Sequence, residues 1–120
     1  QQVLELHEHV LIRDGGLPGI RLGMSVDAVL SRIENNLRFE FDPDVTNAAA
    51  LFAYTFAVGH IFNDANKRTG YVGALVTLEV NGIKAEKMNQ SELEGLVIAA
   101  ARGDMEIEEF VTSFRELVIS

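Results

Sequence analysis

Two stretches of this sequence are apolar almost all the way round a helix, and this constrains the fold more than any other feature. From about Val45 to Val58 the chain carries Ala48, Ala49, Ala50, Leu51, Phe52, Ala53, Phe56 and Ala57. From about Asn66 to Val80 it carries Tyr71, Val72, Ala74, Leu75, Val76 and Leu78. A helix without a polar face must be covered by other elements, so both segments are expected inside a bundle rather than on its surface.

The remaining segments have the one-sided patterns that could cover that pair. Val3, Leu6, Val10 and Leu11 recur at helical spacing, and Asp14-Gly15-Gly16-Leu17-Pro18-Gly19 then breaks the helix into a loop. Ser25 is placed to cap a second helix with the stripe Val26, Val29, Leu30, Ile33 and Leu37. Asp42-Pro43-Asp44 is a turn in which either acid can cap the first buried segment, and Asn81-Gly82 tolerates the backbone that ends the second. Ser91-Glu92-Leu93-Glu94 has capping-box spacing and predicts a helix to about Ala101. Ile107, Phe110, Val111, Phe114 and Leu117 predict a last amphipathic helix. Nothing alternates with period two for long. The expectation is an all-α fold, a compact bundle of about six helices, and 120 residues suit a single domain over 1–120.

Composition removes several function classes. With no cysteine, disulfides, thiolate zinc sites and cysteine nucleophiles are excluded, and the balance tilts toward the cytoplasm. No apolar run approaches the ~20 residues of a membrane span and no signal-peptide pattern opens the chain, so no membrane partner is expected. The first residue is Gln1 rather than Met, which suggests a trimmed or processed start. The net charge is −8, so the counterion-release term that drives sequence-independent nucleic-acid binding is absent and no direct nucleic-acid partner is expected. From Glu86 to Ser120 acids outnumber bases, which reads as a solvated acidic face. Against that background Lys67 and Arg68 stand side by side, the first place to look for a bound anion.

Those two cations belong to the one segment that carries chemistry, Gly59-His60-Ile61-Phe62-Asn63-Asp64-Ala65-Asn66-Lys67-Arg68-Thr69-Gly70, between the two apolar helices. It interrupts a hydrophobic region, where unpaired charge would cost several kcal/mol, so internal pairing or a ligand must compensate. A helix starting near Asn66 would turn its free N–H groups and positive dipole end toward the loop, which suits a phosphate. His60 has the chemistry of a general base, and Asp64 is a hard oxygen ligand suited to Mg²⁺. Plainer readings stay open. Asp64, Lys67 and Arg68 can pair with one another as a helix-end cluster, and Phe62 alone reads as core. His60 with Asp64 at i, i+4 can be half a zinc site, which needs another ligand, whereas His7 and His9 point to different sides of their helix.

The combination His60-x-Phe62-x-Asp64-Ala65-Asn66-Lys67-Arg68 resembles the signature of the Fic/Doc superfamily, H-x-F-x-D/E-G/A-N-G/K-R. The likeness extends through Leu6-His7, Gly15-Gly16-Leu17-Pro18-Gly19-Ile20-Arg21, Ala48-Ala49, Asn81-Gly82 and Ala100-Ala101-Arg102-Gly103, in the order found in death-on-curing (Doc) toxins of Phd/Doc toxin–antitoxin modules.

The resemblance implies a Fic/Doc-type helical bundle that transfers a phosphoryl or nucleotidyl group from ATP to a protein hydroxyl. On that reading His60 deprotonates the hydroxyl, Asp64 holds Mg²⁺ on the nucleotide, Asn66, Lys67 and Arg68 bind phosphate, and Phe62 anchors the loop. Lys67 is the telling departure, because Fic proteins that transfer AMP mostly have glycine there. Doc toxins share the lysine, and they act as kinases on a threonine of elongation factor Tu, halting translation. Ile61 and Ala65 are milder departures that Doc toxins also show. The alternatives are an AMP transferase and a catalytically idle partner-binding module. The self-inhibitory pattern S/T-x-x-x-E-G/N of many Fic proteins is not met, since Ser31-Arg32-Ile33-Glu34-Asn35 is one residue too short. The resemblance therefore implies restraint by a Phd-type antitoxin, whose tail would add a helix to the bundle. Whether the Gly15–Ile20 loop docks a target backbone or is a plain glycine-rich turn stays open at this point.

Overall fold

The computed structural model describes residues 2–84 and 88–119, so Glu86 and Lys87 of the acidic stretch lie outside the described residues, as do Gln1 and Ser120. Among the described residues six helices follow one another: α1 (Gln2–Asp14), α2 (Val26–Phe39), α3 (Val45–Gly59), α4 (Asn66–Val80), α5 (Gln90–Ala101) and α6 (Ile107–Ile119). The all-α bundle expected from the sequence is the fold.

The two apolar helices form its centre. Ala49, Ala50, Leu51, Ala53 and Phe56 of α3 are fully buried, as are Ala74 and Leu78 of α4. The two helices approach closely because glycines face α3. A Cβ on Gly70 would lie 2.7 Å from the Ala53 carbonyl oxygen, and one on Gly73 would overlap the Phe52 ring. Only α3 is enclosed as the pattern predicts. Val76 and Val80 of α4 are 45% and 76% exposed while Leu78 between them is fully buried, so one face of α4, with i, i+4 spacing, is left uncovered. After α4 the chain turns through Gly82 at φ +88°, with the Ile83 N–H donating to the Leu78 carbonyl at 3.0 Å.

The other helices cover this pair with single stripes: Val26, Val29 and Ile33 from α2, Leu93, Val97 and Ala100 from α5, and Phe110, Val111 and Phe114 from α6. Three helix starts are closed by side chains. Ser25 Oγ accepts from Ala28 N at 3.3 Å, Asp44 Oδ1 from Asn47 N at 2.8 Å, and Asn89 Oδ1 from Glu92 N at 3.1 Å. The α5 cap is therefore Asn89 and not Ser91, which lies inside the helix. Capping-box spacing at Ser91 could not show that an amide two residues earlier already fills the role.

On α1 the inward stripe is Val3, His7 and Val10, with Leu6 and Leu11 half-buried. Beyond α1 the glycine-rich loop does more than turn. Ile20 forms an antiparallel bridge with Phe62, fixed by Arg21 N to Ile61 O at 2.8 Å and Asn63 N to Gly19 O at 3.0 Å. The loop between α1 and α2 is thereby laid along the α3–α4 connection.

Candidate active site

The polar segment leaves α3 and enters α4 through two left-handed residues. His60 closes α3 at φ 50°, ψ 43°, and Ala65 opens α4 at φ 64°, ψ 26°. Neither is glycine, so each carries backbone strain that the surrounding contacts must hold. Between them the chain makes a single bridge at Phe62, bends at Asn63 and Asp64, and is tied down. Phe62 is 1% exposed, and the Asn66 side-chain amide grips its backbone twice, accepting from Phe62 N at 2.9 Å and donating to Phe62 O at 3.0 Å. Asn66 was expected on phosphate; its side chain instead braces the loop, and its main-chain N–H at the start of α4 is what it can offer an anion.

That helix start has no side-chain cap. It opens into a cavity of about 700 Å³ lined by His60, Asp64, Asn66, Lys67 and Arg68 among others. The structure thus brings the sequence-predicted polar residues to one cavity, with Phe62 beneath it as an anchor. His60 and Lys67 are exposed, and among the described residues Lys67 has no carboxylate partner. The first turn of α4 therefore presents unfilled N–H groups, a lysine ammonium and the positive dipole end to the same space, an arrangement suited to phosphate oxygens.

Asp64 does not pair with either cation. Its Oδ1 accepts from Ala65 N at 2.9 Å and its Oδ2 from Leu17 N at 3.2 Å, while its main-chain carbonyl accepts from His7 Nε2 at 2.9 Å. Each carboxylate oxygen keeps a lone pair. An exposed carboxylate facing the cavity fits Mg²⁺, which takes one or two carboxylates together with substrate phosphates. It does not fit a zinc cage: no group of three metal-ligating residues occurs among the described residues, and His7 is buried against Phe62 rather than facing His60.

Arg68 is held by acids that the sequence reading did not single out. Its Nε donates to Asp14 Oδ2 at 3.0 Å, Glu94 lies 3.8 Å from its Nη1, and its guanidinium stands 5.5 Å over the Tyr71 ring. Asp14 ends α1, where the dipole disfavours a carboxylate. Desolvation also works against its charge, but hydrogen bonds from Arg68 and Arg13 outweigh both and hold its pKa below the ordinary aspartate value. A carboxylate with a depressed pKa keeps its stabilising charge at neutral pH and loses it only as the pH falls through that lowered value, so the Asp14–Arg68 link is intact at neutral pH. Both partners are about one-third exposed, so an incoming phosphate can take Arg68 over. Burial, then Glu94, push the Tyr71 hydroxyl pKa up, opposed by Arg68, and Tyr71 lines the cavity as a neutral phenol. Asp14 and Glu94 sit far from the motif in sequence. The one signal for Asp14 was an acid at the wrong end of a helix.

A helical bundle that presents a histidine, a carboxylate, an asparagine-braced loop and a cationic helix start in one cavity defines a class, and the sequence comparisons agree with it. The Fic/DOC family model matches residues 1–78, and the chain belongs to that family. It is also 32% identical over 117 residues to the protein named "Protein kinase doc" of Escherichia phage P1, covering 98% of this chain and 91% of that protein.

Proposed function

We propose that this protein is the toxin of a toxin–antitoxin module, a protein kinase that moves the γ-phosphate of ATP to a threonine of elongation factor Tu and so halts translation. The observation that carries the reading is the uncapped start of α4, which opens with Lys67 and Arg68 into the cavity shared by His60 and Asp64. The name of the phage relative supports a kinase, and Lys67 supports it over AMP transfer, because a lysine beside the phosphates fills space that a glycine leaves to the backbone.

In this mechanism the target threonine enters next to His60, an exposed imidazole at the mouth of the cavity. Its hydroxyl proton passes to the imidazole as the oxygen–Pγ bond forms. The bond from Pγ to the β–γ bridging oxygen breaks, and ADP leaves with that electron pair. The chain's work is placement: N–H groups of the α4 start, with Lys67 and Arg68, hold the phosphates in line with the attacking oxygen, and positioning with charge stabilisation supplies most of the rate. Mg²⁺, bound through Asp64, would offset charge on the phosphates. Arg68 reaches them by leaving Asp14 and Glu94. A Phd-type antitoxin restrains the enzyme in trans, and the cytoplasm supplies both ATP and target. Among the described residues no helix is long and apolar enough to cross a membrane.

The test is label transfer to purified elongation factor Tu. Label from γ-³²P-ATP should appear on a threonine, while label from α-³²P-ATP should not, and EDTA should abolish transfer. Labelling from α-³²P-ATP would establish AMP transfer instead. Transfer that survives in EDTA would remove Mg²⁺ and the Asp64 role.

A further inference from the structure

His7 lies well outside the motif, on α1, and does not line the cavity, yet it touches the motif loop at two points. Its ring stacks on Phe62 with centroids 3.7 Å apart and planes 9° from parallel. Its Nε2 lies 2.9 Å from the main-chain carbonyl oxygen of Asp64. A carbonyl can only accept, so Nε2 carries the hydrogen. The side chain is 5% exposed, and an apolar residue would fill the Val3–Val10 stripe with no polar group to bury.

We propose that His7 is a positioning residue for the magnesium–nucleotide site: by gripping Phe62 and the Asp64 carbonyl together, it sets the direction of the Asp64 carboxylate. The lever is short. Carbonyl and carboxylate of Asp64 share one Cα, and the peptide that His7 holds leads directly into Ala65, whose left-handed backbone starts α4. The Asp64 carboxylate is otherwise steered by two main-chain N–H groups, those of Ala65 and Leu17. Leu17 sits in an exposed glycine-rich loop, whereas His7 comes from the packed face of a helix. The rigid member of the set is therefore His7. Groups that orient a metal-binding side chain from behind commonly matter about 10–100-fold in metal affinity.

This inference rests on the kinase reading for its magnesium and nucleotide, and its test separates the two. His7→Phe keeps the stack and drops the donor, whereas His7→Gln keeps a donor near the Nε2 position and drops the stack. Binding of a non-hydrolysable ATP analogue to the full chain is followed by calorimetry as Mg²⁺ is titrated. His7→Phe should raise the Mg²⁺ needed for half-saturation roughly tenfold or more, and His7→Gln should recover most of the loss. Val10→Ala, a core truncation on the same helix face, should lower Tm and leave the Mg²⁺ dependence unchanged. In the nucleotide-free wild type, ¹⁵N NMR should show a hydrogen on His7 Nε2, and His7→Phe should shift the Ala65 and Leu17 amides that bind the Asp64 carboxylate. These spectra need neither ATP nor turnover, so they judge the His7–Asp64 link even where the kinase reading fails. An unchanged Mg²⁺ requirement in His7→Phe, equal losses in both variants that follow Tm, or amide shifts confined to Phe62 would each overturn the proposal.

Discussion

Helices α3 and α4 are each 15 residues long and pack against one another, but they begin in opposite ways. The start of α3 is closed. Asp44, extended at φ −114°, caps Asn47 N, and Arg115 of α6 donates to both Asp44 oxygens at 3.0 and 2.9 Å and to Asn47 Oδ1 at 3.0 Å. The start of α4 is open. Ala65 is left-handed, brings no capping side chain, and leaves the first-turn N–H groups facing the cavity. A helix N-terminus has the same demand for acceptors wherever it lies. One end meets that demand from within the chain and contributes to stability. The other leaves it without a side-chain cap, at some cost to stability, which is where the proposed function places the phosphates, and the residues round it are braced by Asn66 and His7 instead.

The contrast can be broken or sharpened at several positions. The largest effect should come at the open end. His60→Ala is expected to lose about 10²–10⁴-fold in phosphoryl-transfer rate, the usual range for a general base, with Tm almost unmoved because the side chain is exposed. Rate assays paired with thermal melts read both, and a fully active variant would remove the mechanism.

Next comes the contact that lets the two helices lie side by side. Gly70→Ala places a methyl against the Ala53 main chain, which cannot rotate away, and should cost about 1–3 kcal/mol in chemical denaturation. Loss at the closed end should be smaller. Asp44→Ala removes a cap and the ion pair to Arg115, which keeps Asn47 Oδ1, so unfolding should be easier by about 1 kcal/mol, a few degrees in Tm, while the turnover of folded protein stays the same. A drop in turnover per folded molecule would show that the closed end also serves the site. The smallest effect is expected at Ala65. Ala65→Gly relieves a left-handed alanine, worth about 1 kcal/mol, against a backbone-entropy cost of about 0.5–1 kcal/mol. A net gain of a few tenths in stability, with activity retained, is the expected outcome.

Much of this architecture was legible in the residue order, since helical periodicity and turn chemistry are local. The boundaries implied at Ser25, Asp44 and Asn81-Gly82 are those of the fold, because each works through main-chain groups within a few residues. The α5 cap was misread for the same reason: Asn89 and Ser91 both offer local capping chemistry, and only the geometry selects between them. Exposure of Val76 and Val80 was not legible, because it depends on which face of α4 the other helices cover.

For the site, the sequence by itself determined the chemical inventory: a histidine, a carboxylate, an asparagine and two cations within nine residues between two buried helices. Only the tertiary structure decided how those groups are employed. It turned the Asn66 amide inward onto Phe62, gave Arg68 to Asp14 and Glu94 and away from Asp64, and put His7 behind the loop. Residue order fixes what bonds a side chain can make, but hydrogen bonds and ion pairs form with whatever lies within about 3 Å. Asp14 lies 54 residues from Arg68 along the chain and Asp64 lies 57 from His7, and helix packing alone brings them close.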